Sequence, residues 1–185
     1  NRTHCVSNDF NKLLDYYFTI KKYQYMEIIH IVLGKANPDR MNGVNKVVYQ
    51  LATEQVKAGK NIQVWGITQN PVHDYAERNF VTKLFKASKF PFLLNTTLKK
   101  EILEQKSAVF HLHGGWVPVF STLANFLSKN KIKFVLTPHG AYNEVAMQKS
   151  KSIKKLYFYL FEKRILSSVS KVHSIGASEV KGLGK

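Results

Sequence analysis

Short blocks of apolar residues recur along the chain, and polar and apolar positions between them alternate with a helical period. The segment "MEIIHIVL" (26–33) is almost unbroken apolar sequence and predicts a strand. In "GVNKVVYQLATEQVKAGK" (43–60), Val44, Val47, Val48, Leu51, Ala52, Gln55 and Val56 fall on one stripe at helical spacing, and Gly59 supplies a stop. "NIQVWGI" (61–67) predicts a second strand. Residues 68–89 are mixed and polar, with Pro71, and read as loop with a short strand near Phe80. "FPFLL" (90–94) reads as a strand, and "NTTLKKEILEQK" (95–106) as a helix capped by Asn95 or Thr96. "AVFHLH" (108–113) is a strand, "VPVFSTLANFLSKN" (117–130) a helix and "KFVLT" (133–137) a strand. "SIKKLYFYLFEKRILSS" (152–168) is a long helix, and "KVHSIGAS" (171–178) a final strand.

Strands alternating with helices predict an α/β fold, a Rossmann-like parallel sheet with helices on both faces. The near-continuous apolar strands agree, because parallel strands are buried on both sides. Residues 1–25 do not fit the alternation, and Met26 opens the first strand as a start codon would. The expected organisation is an N-terminal appendage over 1–25 and one domain over 26–185. There is no internal repeat or low-complexity segment.

Two strands run into the same dipeptide. In "AVFHLHGGW" the strand runs into His113-Gly114, and in "FVLTPHGAYNE" into His139-Gly140. In open parallel sheets, ligands bind in the crevice beyond the carboxyl ends of the strands. Glycine lets the backbone turn sharply and lets a ligand approach, while imidazole donates or accepts hydrogen bonds near neutral pH. The alternative is that each His-Gly is only a turn. By strand alternation His111 points away from Leu112 and also fits a core histidine, and His30 reads as structural. The loop "GKANPDRMNGVNK" (34–46) is long for a strand-to-helix connection, and Asn42-Gly43 stands where N–H groups at a helix start bind anions. It lacks G-x-G-x-x-G and the Lys-Ser/Thr of a phosphate-binding loop. Neither zinc-ligand spacing nor G-x-S-x-G occurs, so neither a zinc site nor a serine hydrolase is expected.

Composition changes this picture little. The 185 residues are 44% hydrophobic and 22% charged, ordinary for a globular domain. No apolar run approaches the ~20 residues of a membrane span, and no secretory signal is legible. The lone Cys5 fits a reducing, cytoplasmic setting. Charge matters more: +16 favours an anionic partner, whether phosphate-bearing substrate, acidic membrane or nucleic acid. "QKSKSIKKLYFYLFEKR" (148–164) carries six Lys/Arg against Glu162, interleaved with Leu156, Tyr157, Phe158, Tyr159, Leu160 and Phe161. It reads as a helix with a solvated basic face, or as attachment to an anionic leaflet.

From Met26 to about Ser178 these pieces, in this order, resemble the N-terminal half of a family 4 glycosyltransferase of the GT-B fold. The matching segments are "IIHIVL", "NGVNKVVYQLATEQVKAGKNIQVW", "VFHLHGGW", "TPHGAY" and "KKLYFYLFEKRILSSVSKVHSIGASE". The resemblance implies one acceptor-side domain of a two-domain enzyme whose other domain binds most of the nucleotide-sugar donor. It implies sugar transfer with retention of configuration to a saccharide or lipid-linked acceptor, without cofactor or metal, in cell-surface polysaccharide synthesis. Asn42, Gly43, His113, Gly114, His139 and Gly140 are the substrate-binding residues it implies, and His139 would lie close to the transferred sugar. The family's Gly-Gly before the helix is Asn42-Gly43 here, and Ser107-Ala108 replaces an aspartate that often opens the "VFHLHG" strand. No catalytic residue is assigned. The family's Glu-x7-Glu and diphosphate-binding cations belong to the second domain, so the chain alone is expected to be inactive. The expected setting is the cytoplasm, or the inner face of the membrane. Two other readings stand beside it. One is half of a two-domain nucleotide-sugar epimerase; the other is a basic nucleic-acid-binding module, for which no motif is found.

Overall fold

A computed structural model describes residues 26–39, 43–143 and 151–183. The expected appendage over 1–25, and Asn42, lie outside the described residues. Six strands form one sheet: β1 (Glu27–Leu33), β2 (Asn61–Thr68), β3 (Val81–Lys86), β4 (Val109–His113), β5 (Phe134–Thr137) and β6 (Lys171–Val172). Their order is β3-β2-β1-β4-β5-β6, and every pairing is parallel. The fold is the α/β, Rossmann-like one that the alternation predicts.

Helices cover both faces. Helix α1 (Gly43–Lys57) lies on one face. Its Val48 and Ala52 pack with Val32, Ile62, Val64 and Phe80. On the other face, Leu98 and Ile102 of α2 (Thr96–Glu104) and Phe120, Leu123 and Leu127 of α3 (Pro118–Lys129) meet Ile29, Ile31, Trp65, Phe110 and Leu136. Asn95 caps α2, its side-chain oxygen accepting from the N–H groups of Thr97 and Leu98. Pro118 opens α3, where a missing N–H costs nothing. The fourth described helical stretch runs as α4 (Lys151–Tyr157), a wide π turn at Phe158–Glu162 and α5 (Lys163–Ser168). In that turn the N–H of Lys163 reaches the carbonyl of Phe158, one residue further back than in an α-helix.

Three expectations are corrected. The short strand near Phe80 is β3, a full strand paired with β2 from Gln63↔Val81 to Thr68↔Lys86. "FPFLL" is a turn closed by the Leu93 N–H on the Phe90 carbonyl at 3.0 Å, with Pro91 offering no N–H to a ladder. "KVHSIGAS" pairs only at Lys171–Val172 and leads into α6 (Ala177–Leu183). Its partner β5 has four residues, so the ladder runs out once His173 N–H has bonded the Leu136 carbonyl.

The order of the strands positions the site. From β1 the chain builds outward through β2 and β3, then returns to build β4, β5 and β6 on the other side. The loops after β1 and β4 therefore diverge and leave a crevice between them.

Candidate active site at the carboxyl edge of the sheet

That crevice has a volume of about 270 Å³ and is walled by Val32, Val44, His113, Gly114, Pro138 and His139, among others. Strand β4 delivers His113-Gly114 and strand β5 delivers His139-Gly140 to the same edge, because the two strands are parallel and in register to His113↔Thr137. Gly43 opens α1 immediately before Val44, and a Cβ built on it would meet nothing within 4 Å. Of the six residues read from the sequence, five are described, and all five stand at this edge.

The turns are built from unusual backbone. Gly114 has φ 133° and Gly140 φ 79°, a region open to glycine. His139 itself sits at φ 56°, which histidine tolerates better than most residues. The carboxylate of Glu179, 1% exposed at the start of α6, accepts the N–H of Gly140 at 2.7 Å. It also accepts from Ile175 N–H at 3.2 Å. The loop after β5 is thus fastened to the last described helix.

Behind the crevice five histidines gather on one face of the sheet. His30 Nδ1 lies 2.8 Å from His113 Nε2, and His113 Nδ1 lies 2.9 Å from His139 Nε2. His30 Nε2 lies 2.7 Å from the amide oxygen of Gln55 on α1. His111 Nε2 reaches Thr137 Oγ1 at 2.6 Å, and that hydroxyl reaches His173 Nδ1 at 3.1 Å. Burial favours the neutral form of His30, His111, His113 and His139. His30 is pushed down to about 4, His111 to about 3, and His113 and His139 below the ordinary histidine value, first by desolvation.

The geometry bears on how His113 could act. It stands in the crevice wall, but it is 2% exposed and both ring nitrogens are engaged. A direct hydrogen bond to a sugar would have to displace one of those partners. His139 is half-buried and uses only Nε2 among the described residues. His30 does read as structural, being fully buried, yet it is bonded to the site. His30, His111 and His113 could each offer one ring nitrogen to a metal ion, all within 4.8 Å of one another. All four nitrogens of His30 and His113 are already hydrogen-bonded, so the donor set is spent on protein partners.

A second layer knits three motifs together. The Trp116 indole N–H donates to the Ala141 carbonyl at 2.8 Å, and its ring meets Tyr142 edge-on at 5.4 Å. The buried Tyr142 hydroxyl donates to the Glu162 carboxyl. Burial raises the pKa of both groups. "HGGW", "HGAY" and "FEKR" therefore meet under the crevice floor. Sequence reasoning missed Gln55, Thr137, His173 and Glu179 as parts of the site. Gln55 on the apolar stripe of α1 was the available signal, since a polar residue in such a stripe needs a buried partner.

The comparisons with known proteins bear on what this edge does. No curated protein sequence matches the chain. Among solved structures, the crystal structure of S. aureus homoserine dehydrogenase at pH 7.0 is similar at 15% identity and a TM-score of 0.36. That match covers 82% of this chain and 33% of the dehydrogenase, so the chain spans about a third of the structure it matches. The family model described as Glycosyltransferase Family 4 matches residues 41–183, which takes in α1, every strand after β1 and both His-Gly turns. The chain belongs to glycosyltransferase family 4.

Proposed function

We propose that the crevice is the acceptor-side wall of a retaining glycosyltransferase that moves a sugar from a nucleotide-sugar donor to a saccharide or lipid-linked acceptor, in cell-surface polysaccharide synthesis. The observation that carries this is the meeting of Gly114, His139 and the N-terminus of α1 around one crevice, in a chain of this family. His139 offers its free ring nitrogen to a sugar hydroxyl. Gly43 leaves room for the donor phosphates or the acceptor, beside N–H groups that favour negative charge. His113 acts through His139. The developing charge on the leaving diphosphate needs cationic or N–H donors opposite this wall, and a second domain supplies them. The chain by itself would then not turn over substrate, and no metal or cofactor is required.

The test is transfer by the complete enzyme carrying His139→Ala. Loss of a hydrogen bond made in the transition state costs about 1–3 kcal/mol, or roughly five- to more than a hundred-fold in rate. Unchanged kinetics on the true donor and acceptor would remove His139 from the site.

An anionic membrane leaflet is the partner that the surface favours. Ile153, Leu156, Tyr159 and Leu160 are exposed along α4 and the π turn, and Phe90 and Leu93 are exposed in the adjoining turn. Phe92 packs against Phe161 with ring centroids 4.7 Å apart and joins the two. Exposed Lys89, Lys155, Lys163 and Arg164 interleave with them. Apolar groups beside cations suit a headgroup boundary, where a lipid-linked acceptor would be found. Among the described residues no helix is long and apolar enough to cross a membrane. The enzyme would work at the cytoplasmic face, attached peripherally.

A further inference from the structure

The linked rings behind the crevice run from Gln55 through His30 and His113 to His139. We propose that Gln55, His30 and His113 form a tautomer relay that fixes which hydrogen-bonding face His139 presents to the sugar. The inference rests on the reading of His139 as a sugar contact, and its residues are positioning groups that never touch substrate.

The argument is a count of protons. A neutral imidazole has one N–H and one bare nitrogen. Three of them joined nitrogen to nitrogen can satisfy every link in only two ways, each the reverse of the other. The links here are His30 Nδ1 to His113 Nε2 at 2.8 Å and His113 Nδ1 to His139 Nε2 at 2.9 Å. The far end is Gln55, whose amide oxygen lies 2.7 Å from His30 Nε2. A carbonyl oxygen only accepts, so His30 carries its proton on Nε2 and leaves Nδ1 bare. His113 must then donate from Nε2 and accept at Nδ1. His139 in turn donates from Nε2, and its Nδ1 is bare. The relay delivers an acceptor nitrogen to the crevice, suited to the O–H of a sugar. Were the sense reversed, His139 would carry its proton on Nδ1 and offer a donor.

Burial keeps the relay neutral, which the counting requires. His30 is 0% exposed and His113 2% exposed. Desolvation holds both rings below the ordinary histidine pKa. Gln55 is reachable for substitution. It is half-buried on α1, facing a separate hollow of about 270 Å³ that it shares with His111 and Lys60.

The readout is the tautomer of His139, seen in the two-bond nitrogen–proton correlations of the imidazole ring in the protein labelled with nitrogen-15. The wild type should show His139 Nδ1 as a bare nitrogen and Nε2 as N–H. Gln55→Met keeps the length but removes the acceptor. A buried His30 N–H facing a thioether costs more than a bare nitrogen there, so the relay should reverse or mix. The His139 Nδ1 resonance should then move upfield towards the N–H position, with the backbone amide spectrum otherwise retained. Gln55→Asn, whose shorter side chain falls short of His30, should shift the same resonance if the methionine variant perturbs the fold. A wild-type His139 protonated on Nδ1, or a tautomer unchanged in both variants, overturns the proposal. The measurement uses no sugar, so its outcome is separate from that of the His139→Ala transfer assay.

Discussion

Glu179 and Gly140 are joined across 39 positions of sequence by a hydrogen bond of 2.7 Å, carboxylate to backbone N–H. The bond ties α6 to the turn that carries His139, so the orientation of that ring depends on a residue beyond α4, α5 and β6. Glu179→Ala leaves the Gly140 N–H without its acceptor. The expected loss is about 1–3 kcal/mol of stability, with the His139 tautomer pattern blurred as the turn loosens. Glu179→Gln keeps an acceptor and should lose less. Urea unfolding midpoints of the two variants check the order, and equal midpoints would show that the contact is idle.

Acid should weaken the fold before ordinary carboxylates titrate. His30, His111 and His113 are held neutral by burial, with folded-state pKa values below the ordinary 6.5. A base with a depressed folded pKa gives full stability above its unfolded value and loses it as pH falls. Stability should therefore be flat above about pH 6.5 and decline from there towards 4. For His30 alone, falling from 6.5 to about 4, the decline amounts to about 3 kcal/mol. Denaturant unfolding between about pH 7.5 and about pH 5, roughly one unit above and one and a half below the ordinary histidine pKa, captures the first part of that decline. A curve that stays level across that interval rules out the neutral cluster.

Gly66→Ala should be among the costly small changes. A Cβ at this position in β2 would run into the carbonyl oxygen of Gly34 and come within 2.8 Å of Leu84 Cδ2. The backbone of Gly34 cannot retreat freely, because its N–H bonds the Ile67 carbonyl at 2.8 Å. Overpacking of this kind costs about 1–3 kcal/mol. Gly43→Ala, which meets open space at the helix start, should be near neutral for stability. Thermal unfolding of the pair provides the comparison, and a Gly66→Ala protein as stable as Gly43→Ala would contradict it.

The membrane proposal makes a graded forecast. The protein should co-sediment with vesicles rich in acidic lipid at low salt and come off as salt screens the charge. Ile153→Asn with Leu156→Asn, at positions 74% and 62% exposed, should weaken binding without unfolding the domain. Binding to neutral vesicles as strong as to acidic ones, or a double variant that binds like wild type, counts against the leaflet. Tight, sequence-selective nucleic-acid binding would favour the rival module instead.

What could be read from the sequence divides along a physical line. The buried strands β1, β2, β4 and β5 were legible because a parallel sheet demands unbroken apolar runs. The helices α1, α2 and α3 were legible from their period, and the cap at Asn95 from its chemistry. β3 was legible only as a short strand near Phe80, because Val81 and Lys83 belong to an edge strand whose outer side meets solvent, which dilutes the apolar signal. The π turn at Phe158–Glu162 adds one residue to a helical turn without any composition mark. At the site, topology alone put His113 and His139 on one edge. That His30, 83 positions before His113, would touch it depends on the register His30↔His111 and Val32↔His113 across β1 and β4, which no local pattern reveals.

The two margins of the sheet carry a last consequence. Among the described residues one margin is β6, a strand of two residues beginning with Lys171. The other is β3, which sets Lys83 and Lys86 along its length, Lys83 bonded to Glu101 at 2.5 Å. Neither presents the long, flat, uncharged row of open N–H and C=O groups that recruits another chain. Strand-by-strand polymerisation of crowded copies is thereby discouraged at both ends, and the protein can be concentrated on a surface without its sheets fusing.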